Sequence, residues 1–169
     1  KTRLAWHADL AVCASPFTAA ELHRHSGYPQ DRIRIIPYAV NTSHLEHRSA
    51  SVELDSLRNQ LRLTGKRVLL YVGRIAGHKR IDLLIAALAK LAAHNPDLCL
   101  LIVGNPNATQ TTKDLTAQLR SQAQALGIAE RVIFAGEAFN VAPYYELADI
   151  FVQASQHEGF CVPLIESMA

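Results

Sequence analysis

Hydrophobic positions along this chain switch between two rhythms. From Lys66 onward, short continuous apolar runs alternate with segments whose apolar residues recur every three or four positions. The runs are VLLYVG (68–73), LCLLIVG (98–104), VIFAG (132–136) and DIFVQAS (149–155). Runs of this kind, bounded by Gly, Pro and Asn, predict strands buried on both faces. Between them, Ile81, Leu84, Ile85, Leu88 and Leu91 mark one face of a helix from about Arg80 to His94, broken by Asn95-Pro96. A second helix is predicted from about Thr112 to Leu126, stopped by Gly127, and a short one over Ala142 to Ala148. A last helix starts near Pro163.

The first part of the chain is less regular. Residues 10–14 (LAVCA) predict a short strand, and Ser15-Pro16 opens a helix that runs to about His25 and ends at Gly27. Ile33 to Ile36 predicts another strand, stopped by Pro37. Thr42 to Ser51 is polar and aperiodic, a linker, and Val52 to Leu63 has apolar residues at helical spacing. Buried strands alternating with helices predict an α/β fold: a Rossmann-like, doubly wound parallel sheet covered on both faces. The last helix has about two turns before residue 169, and a complete domain of this type continues through further units. The chain is therefore expected to be a fragment, truncated within the domain.

Composition narrows the function classes. The chain is 49% hydrophobic and 19% charged, which fits a well-buried globular fold and excludes disorder. Net charge is +2, and the excess sits in the first fifty residues, where six Lys and Arg face four Asp and Glu. No dense basic stripe marks a nucleic-acid partner. Three cysteines, Cys13, Cys99 and Cys161, lie far apart without a CxxC pair. That pattern predicts a reducing, cytoplasmic setting with no disulfide framework. The N-terminal K-T-R-L-A-W-H-A-D-L-A-V-C-A-S has the outline of a signal peptide, but His7 and Asp9 interrupt the apolar run. No apolar run approaches a membrane span in length.

In such sheets, ligands bind where strands hand over to loops. Gly73-Arg74-Ile75-Ala76-Gly77-His78-Lys79 brings two cations and two glycines to one strand end. Arg74 and Lys79 suit a diphosphate, or are solvated surface charges; the residues alone leave both readings open. The stretch is neither GxGxxG nor a P-loop. Gly104-Asn105-Pro106-Asn107 reads as turn chemistry. The run E-G-F-C-V-P-L-I-E sets Glu158 in a strand-end loop and Glu166 on the first helical turns. Pro163 is placed at the first helical position, so the amides of Phe160 to Leu164 form a helix N-terminus suited to an anion. Glu166 then either holds sugar hydroxyls or offsets the helix dipole. His23, His25, His44 and His47 have no metal-site spacing; His78 and His157 lie in the candidate loops.

These segments carry a family resemblance. E-G-F-C-V-P-L-I-E resembles the Glu-x7-Glu motif of the retaining glycosyltransferases of family four, which have the GT-B fold. Y-V-G-R-I-A-G-H-K-R-I-D-L-L-I-A-A-L resembles that family's donor-loop motif. F-A-G-E and Y-Y-E-L-A-D-I-F-V-Q-A-S are similar to the segments between. A-D-L-A-V-C-A-S-P-F-T-A-A-E-L is similar to the closing strand and helix of the acceptor domain, and I-I-P-Y-A-V-N to its linker. The order is that of the family, over nearly the whole chain.

The resemblance implies a domain plan and roles. Residues 1–43 would be the tail of an acceptor domain, 44–66 a linker and helix, and 67–169 a donor-binding domain. Arg74 and Lys79 would bind the donor diphosphate, Glu166 the ribose hydroxyls, and Glu158 would sit at the transferred sugar as the catalytic residue. Backbone amides of Phe160, Cys161, Val162 and Leu164 would contact sugar and phosphate, and Glu137 would lie near the nucleobase. The substrate would be a nucleotide diphosphate sugar, with no cofactor and no metal. The acceptor would be a sugar or a lipid-linked glycan, held by the rest of the parent, which would be cytoplasmic or peripheral to the inner membrane. The fragment alone would be inactive. A non-catalytic nucleotide-binding module, or an epimerase or phosphorylase on the same fold, would share much of this. The Glu-x7-Glu and the Gly-Arg…Lys spacing favour the transferase. Cys161 stands where many members have Gly, and Tyr38, Ala39 and Asn41 replace the commoner Asn, Gly and Asp.

Overall fold

The computed structural model describes residues 7–40 and 49–169. The predicted linker falls mostly outside these residues, as do His44 and His47. Contacts divide the chain into two compact units: Lys1–Asn41 with Glu158–Glu166, and Thr42–His157 with Ser167–Ala169.

In the first unit, strands β1 (Ala11–Cys13) and β2 (Ile33–Ile35) pair in parallel, with Cys13 opposite Ile35. Helix α1 (Pro16–Ser26) makes the crossover. Its start is fixed reciprocally: the Thr18 amide donates to Ser15 Oγ at 3.2 Å, and the Ser15 amide donates to Thr18 Oγ1 at 3.1 Å. Gly27, with φ 72°, closes the helix as a left-handed cap. Tyr28 is buried, and its hydroxyl donates to the Ala8 carbonyl at 2.9 Å. The two helix histidines diverge as expected: His23 Nδ1 meets the Tyr28 carbonyl, whereas His25 Nε2 meets Glu21. The short α6 (Val162–Glu166) completes this unit.

The second unit carries a four-stranded parallel sheet in the order β5-β4-β3-β6. Its strands are β3 (Arg67–Val72), β4 (Leu98–Val103), β5 (Val132–Gly136) and β6 (Ile150–Phe151). All six residues of β4 are buried, which is why its sequence has no polar alternation. Successive side chains point to opposite faces and build two cores. Tyr71, Leu100 and Ile102 pack with Ile81, Ile85 and Leu88 of α3 (Ile81–Ala92) and Leu119 of α4 (Gln110–Ala125). Val68, Leu70, Cys99 and Leu101 pack on the other face with Leu54 and Leu57 of α2 (Ser51–Gln60) and Leu147 of α5 (Ala142–Leu147). The doubly wound α/β architecture is therefore present.

Three particulars differ from the sequence reading. The strand expected over 149–155 pairs only at Ile150 and Phe151. It has β3 as its single neighbour, and after the Val152 amide donates to the Leu70 carbonyl the chain leaves the ladder. Beyond the two paired residues, Val152 packs partly buried against one core without ladder pairing. Helix α2, which the sequence grouped with the linker in 44–66, packs into the sheet unit: Leu54, Leu57 and Leu61 lie against the core that holds the buried Leu63. Finally, Glu158–Glu166 groups with the first unit and not with the sheet that precedes it. The Phe160 ring meets Tyr38 edge-on, with centroids 5.7 Å apart at 78°, and Gly159 lies against Thr18.

Candidate functional site

A parallel sheet delivers all its strand C-termini to one edge, so the loops after β3, β4 and β5 converge there. Buried Ile75 and a hydrogen bond from the Tyr71 hydroxyl to the Arg74 carbonyl (2.9 Å) anchor the loop after β3. Arg74 itself is exposed and forms no ion pair among the described residues. Gly104 is explained by backbone contact. A Cβ there would stand 2.1 Å from the Gly73 carbonyl oxygen, so only glycine admits the neighbouring loop. Two further bonds tie the loops together: the Gly73 amide donates to Val103 at 2.9 Å and the Gly104 amide to Gly136 at 2.8 Å.

Between these loops lies a cavity of about 210 Å³. Val72, Ile75, Val103 and Val141 give it apolar walls, and Arg74, Asn105 and Glu137 supply polar groups. Asn105 Nδ2 donates to Glu137 Oε2 at 2.7 Å, while Asn105 Oδ1 accepts from the Asn107 amide at 2.8 Å. The sequence reads residues 104–107 as turn chemistry, with Gly104 able to let a ligand come close. The Asx turn was legible, since Asn accepting from a backbone amide two residues on is a standard turn device. The pairing across 32 residues to Glu137 had no local signal.

Lys79 ends the 3-10 turn Gly77–Lys79 in the same loop, half-buried, and does not line the cavity. The loop is tied to the segment after β6: the Gln156 amide donates to the His78 carbonyl at 2.8 Å. β6 adds to β3 on the side away from β4, so the loops after β3 and β6 start at adjacent strand ends, and open α/β sheets bind ligands at such strand ends. The next cation, Arg80, is already committed. It adopts the left-handed conformation (φ 51°) and grips Asp82 through Nε and Nη2 at 2.8–3.1 Å. That hydrogen-bonded guanidinium holds the Asp82 carboxyl below its usual range.

The Glu158–Glu166 stretch is built within the first unit. Helix α6 begins at Val162, so Pro163 takes its second position rather than its first, and Glu166 is its last residue. The Val162 amide is engaged internally, donating to the Phe160 carbonyl at 3.2 Å, and the Ile165 amide donates to Cys161. The predicted row of amides, Phe160, Cys161, Val162 and Leu164, is therefore shorter by Val162. Glu158, Cys161 and Glu166 are half-buried, and Leu164 is exposed. The predicted site residues thus fall into two sets: Arg74, Lys79 and Glu137 in the sheet unit, and Glu158 to Glu166 in the other. Cys13 and Cys99 are buried within strands, and burial pushes the Cys99 thiol up to about 11, in keeping with a small hydrophobe. Among the described residues no three His, Cys, Asp or Glu side chains cluster to hold a metal, and no helix is long and apolar enough to cross a membrane.

With this geometry in place, comparison with known proteins is decisive for the family. Residues 54–169 match the family described as Glycosyl transferases group 1. The chain belongs to that family. Its fold agrees: it superposes on the Anabaena HepE structure in complex with UDP and glucose with a TM-score of 0.84 at 22% identity, covering 95% of this chain and 42% of that one. The sucrose-phosphate synthase structure from Thermosynechococcus elongatus gives 0.77 at 29% identity, covering 96% and 39%. These neighbours are GT-B glycosyltransferases, and the chain has that fold. By sequence, the chain is 29% identical to mannosylfructose-phosphate synthase of Agrobacterium fabrum over 95% of its length. It is 30% identical to D-inositol 3-phosphate glycosyltransferase of Acidothermus cellulolyticus over 96%. It spans 36% of the length of each of these two family members.

Proposed function

We propose that this chain is the donor-binding part of a glycosyltransferase that moves a sugar from a nucleotide diphosphate sugar to an acceptor with retention at the anomeric carbon. The observation that carries the reading is Arg74: a cation without a carboxylate partner among the described residues, on a cavity at the strand C-termini of a Glycosyl transferases group 1 fold. HepE was solved with UDP and with UDP-glucose, which supports a nucleotide sugar as the ligand class.

In this reading Arg74 and Lys79 hold the diphosphate. As the glycosyl bond breaks, the leaving diphosphate gathers negative charge, and fixed cations stabilise that charge more than they stabilise the intact donor. Glu158 positions the transferred sugar, and Glu166 holds the ribose hydroxyls. The amides of Phe160, Cys161 and Leu164 contribute where they face the ligand, and Glu137 lies toward the base. No metal is required for this assignment. The acceptor, a sugar or lipid-linked glycan, is held by other parts of the parent protein.

Calorimetric titration of nucleoside diphosphates into wild type, Arg74→Ala and Lys79→Ala tests the donor assignment. Loss of about 1–3 kcal/mol of binding is expected for each variant, the worth of a charge-assisted contact. Equal binding by all three proteins refutes it.

A further inference from the structure

The cavity also indicates which base it accepts. Resting on the donor-site reading above, we propose that Glu137, held in place by Asn105, selects guanine nucleotides over uracil and adenine nucleotides. Glu137 lines a cavity that it shares with apolar Val72, Ile75, Val103 and Val141 and with the polar Arg74, Asn105 and Thr112. Its Oε2 accepts one hydrogen bond, from Asn105 Nδ2 at 2.7 Å, and Oε1 accepts none among the described residues. A carboxylate offers about four lone-pair positions, so both oxygens keep acceptor capacity toward the cavity. Asn105 is itself fixed by the Asn107 amide at 2.8 Å, which orients its NH₂ toward the glutamate.

Donor and acceptor patterns then decide between bases. Two parallel hydrogen bonds to one carboxylate need two adjacent donors. Guanine has them, at N1–H and the exocyclic N2–H. Uracil has a single N3–H flanked by two carbonyl oxygens, so a bidentate carboxylate would face one of them. Adenine and cytosine place an amino group beside a bare ring nitrogen, with the same conflict on one side. A site that leaves a polar group facing a like partner rejects that ligand strongly, because the lost bond adds to the repulsion. Asn105 is a positioning residue here: it touches Glu137, and its removal frees the carboxylate to turn away from the cavity.

Titration of the intact chain with GDP, UDP, ADP and inorganic pyrophosphate tests this, using wild type, Glu137→Gln, Asn105→Ala and Arg74→Ala. Wild type is expected to bind GDP at least about 10-fold tighter than UDP or ADP, a difference of about 1.4 kcal/mol. Glu137→Gln should bring the GDP to UDP ratio within about 2-fold, and Asn105→Ala should reduce it by about 3-fold or more. Pyrophosphate, which has no base, should bind wild type, Glu137→Gln and Asn105→Ala alike, a pattern that a general loss of folding would not produce. If nucleotides bind in an Arg74-dependent way but UDP equals or exceeds GDP, or if the ratio survives Glu137→Gln, the base assignment is wrong while the donor site stands. If no diphosphate binds, or binding ignores Arg74→Ala, the donor-site reading fails and this inference falls with it.

Discussion

Gly104→Ala joins the fold to the site in one perturbation. The added methyl would sit 2.1 Å from the Gly73 carbonyl oxygen, so the two loops must separate by about 1 Å to restore ordinary contact. Backbone on both sides resists. The Gly73 amide is bonded to Val103 and the Gly104 amide to Gly136, at 2.9 and 2.8 Å. Overpacking of this kind costs about 1–3 kcal/mol. Losing one of the two hydrogen bonds adds about 1 kcal/mol. Gly104 is not in the left-handed region, so alanine also returns about 0.4–1 kcal/mol by restricting the unfolded chain. The net expectation is a loss of about 2–3 kcal/mol, read by urea denaturation as a midpoint shift of about 1 M. Gly77→Ala is the control. Its Cβ meets nothing within 4 Å and its φ is ordinary, so the entropic gain stands alone and the midpoint should rise slightly. Because the displaced backbone borders the cavity, Gly104→Ala should also weaken diphosphate binding and Gly77→Ala should not. A Gly104→Ala protein that melts at the wild-type urea concentration would refute the close-approach argument.

Other residues give independent checks. Arg62 ends α2 with φ 55°, so Arg62→Gly should stabilise by up to about 1 kcal/mol, visible as a higher urea midpoint. The Cys99 thiol, raised to about 11, should label at pH 8 at least about 100-fold more slowly than an ordinary exposed thiol, and catch up only when urea unfolds the protein. The Arg80 guanidinium lowers the Asp82 carboxyl. A lowered carboxyl contributes stability above its unfolded pKa, about 3.9, and loses it as pH falls through the folded value. Asp82→Asn should therefore unfold at lower urea than wild type at pH 6, and the two curves should converge as pH falls through the lowered carboxyl of the folded protein. Curves that stay parallel would remove the ion pair from the account.

Periodicity alone placed β3, β4, β5, α3 and α4, because burial on both faces of a parallel sheet leaves unbroken apolar runs and one-sided helices. It over-read β6 for the same reason: Val152 is apolar because it packs against a core, while the ladder needs a neighbour at each residue. Arg74 was legible because a cation in a strand-end loop is a local pattern. Asn105 was not, because its meaning lies in a carboxylate 32 residues away. The start of α6 shifted by one residue, and that small shift turns the Val162 amide inward onto Phe160. Side-chain packing of Phe160 on Tyr38 also falls outside any local rule, although it sets which unit the glutamate stretch joins.

The division of polar work inside the sheet unit follows from how each charge is partnered. Arg74 and Arg80 are six residues apart on one loop, yet they are in different electrostatic states. Arg80 has a bidentate carboxylate, so an incoming phosphate would have to compete with Asp82 for it. Arg74 has no such competitor among the described residues, and its carbonyl is fixed by Tyr71 while its side chain reaches the cavity. The same logic applies to the acids. Asp82 is paired with Arg80, whereas Glu137 accepts from a neutral amide and has no cationic partner among the described residues. One cation and one anion are thus left to face the same space. A nucleoside diphosphate presents an anionic end and a base edge able to donate, so a single molecule can satisfy both, whereas a simple anion satisfies Arg74 alone.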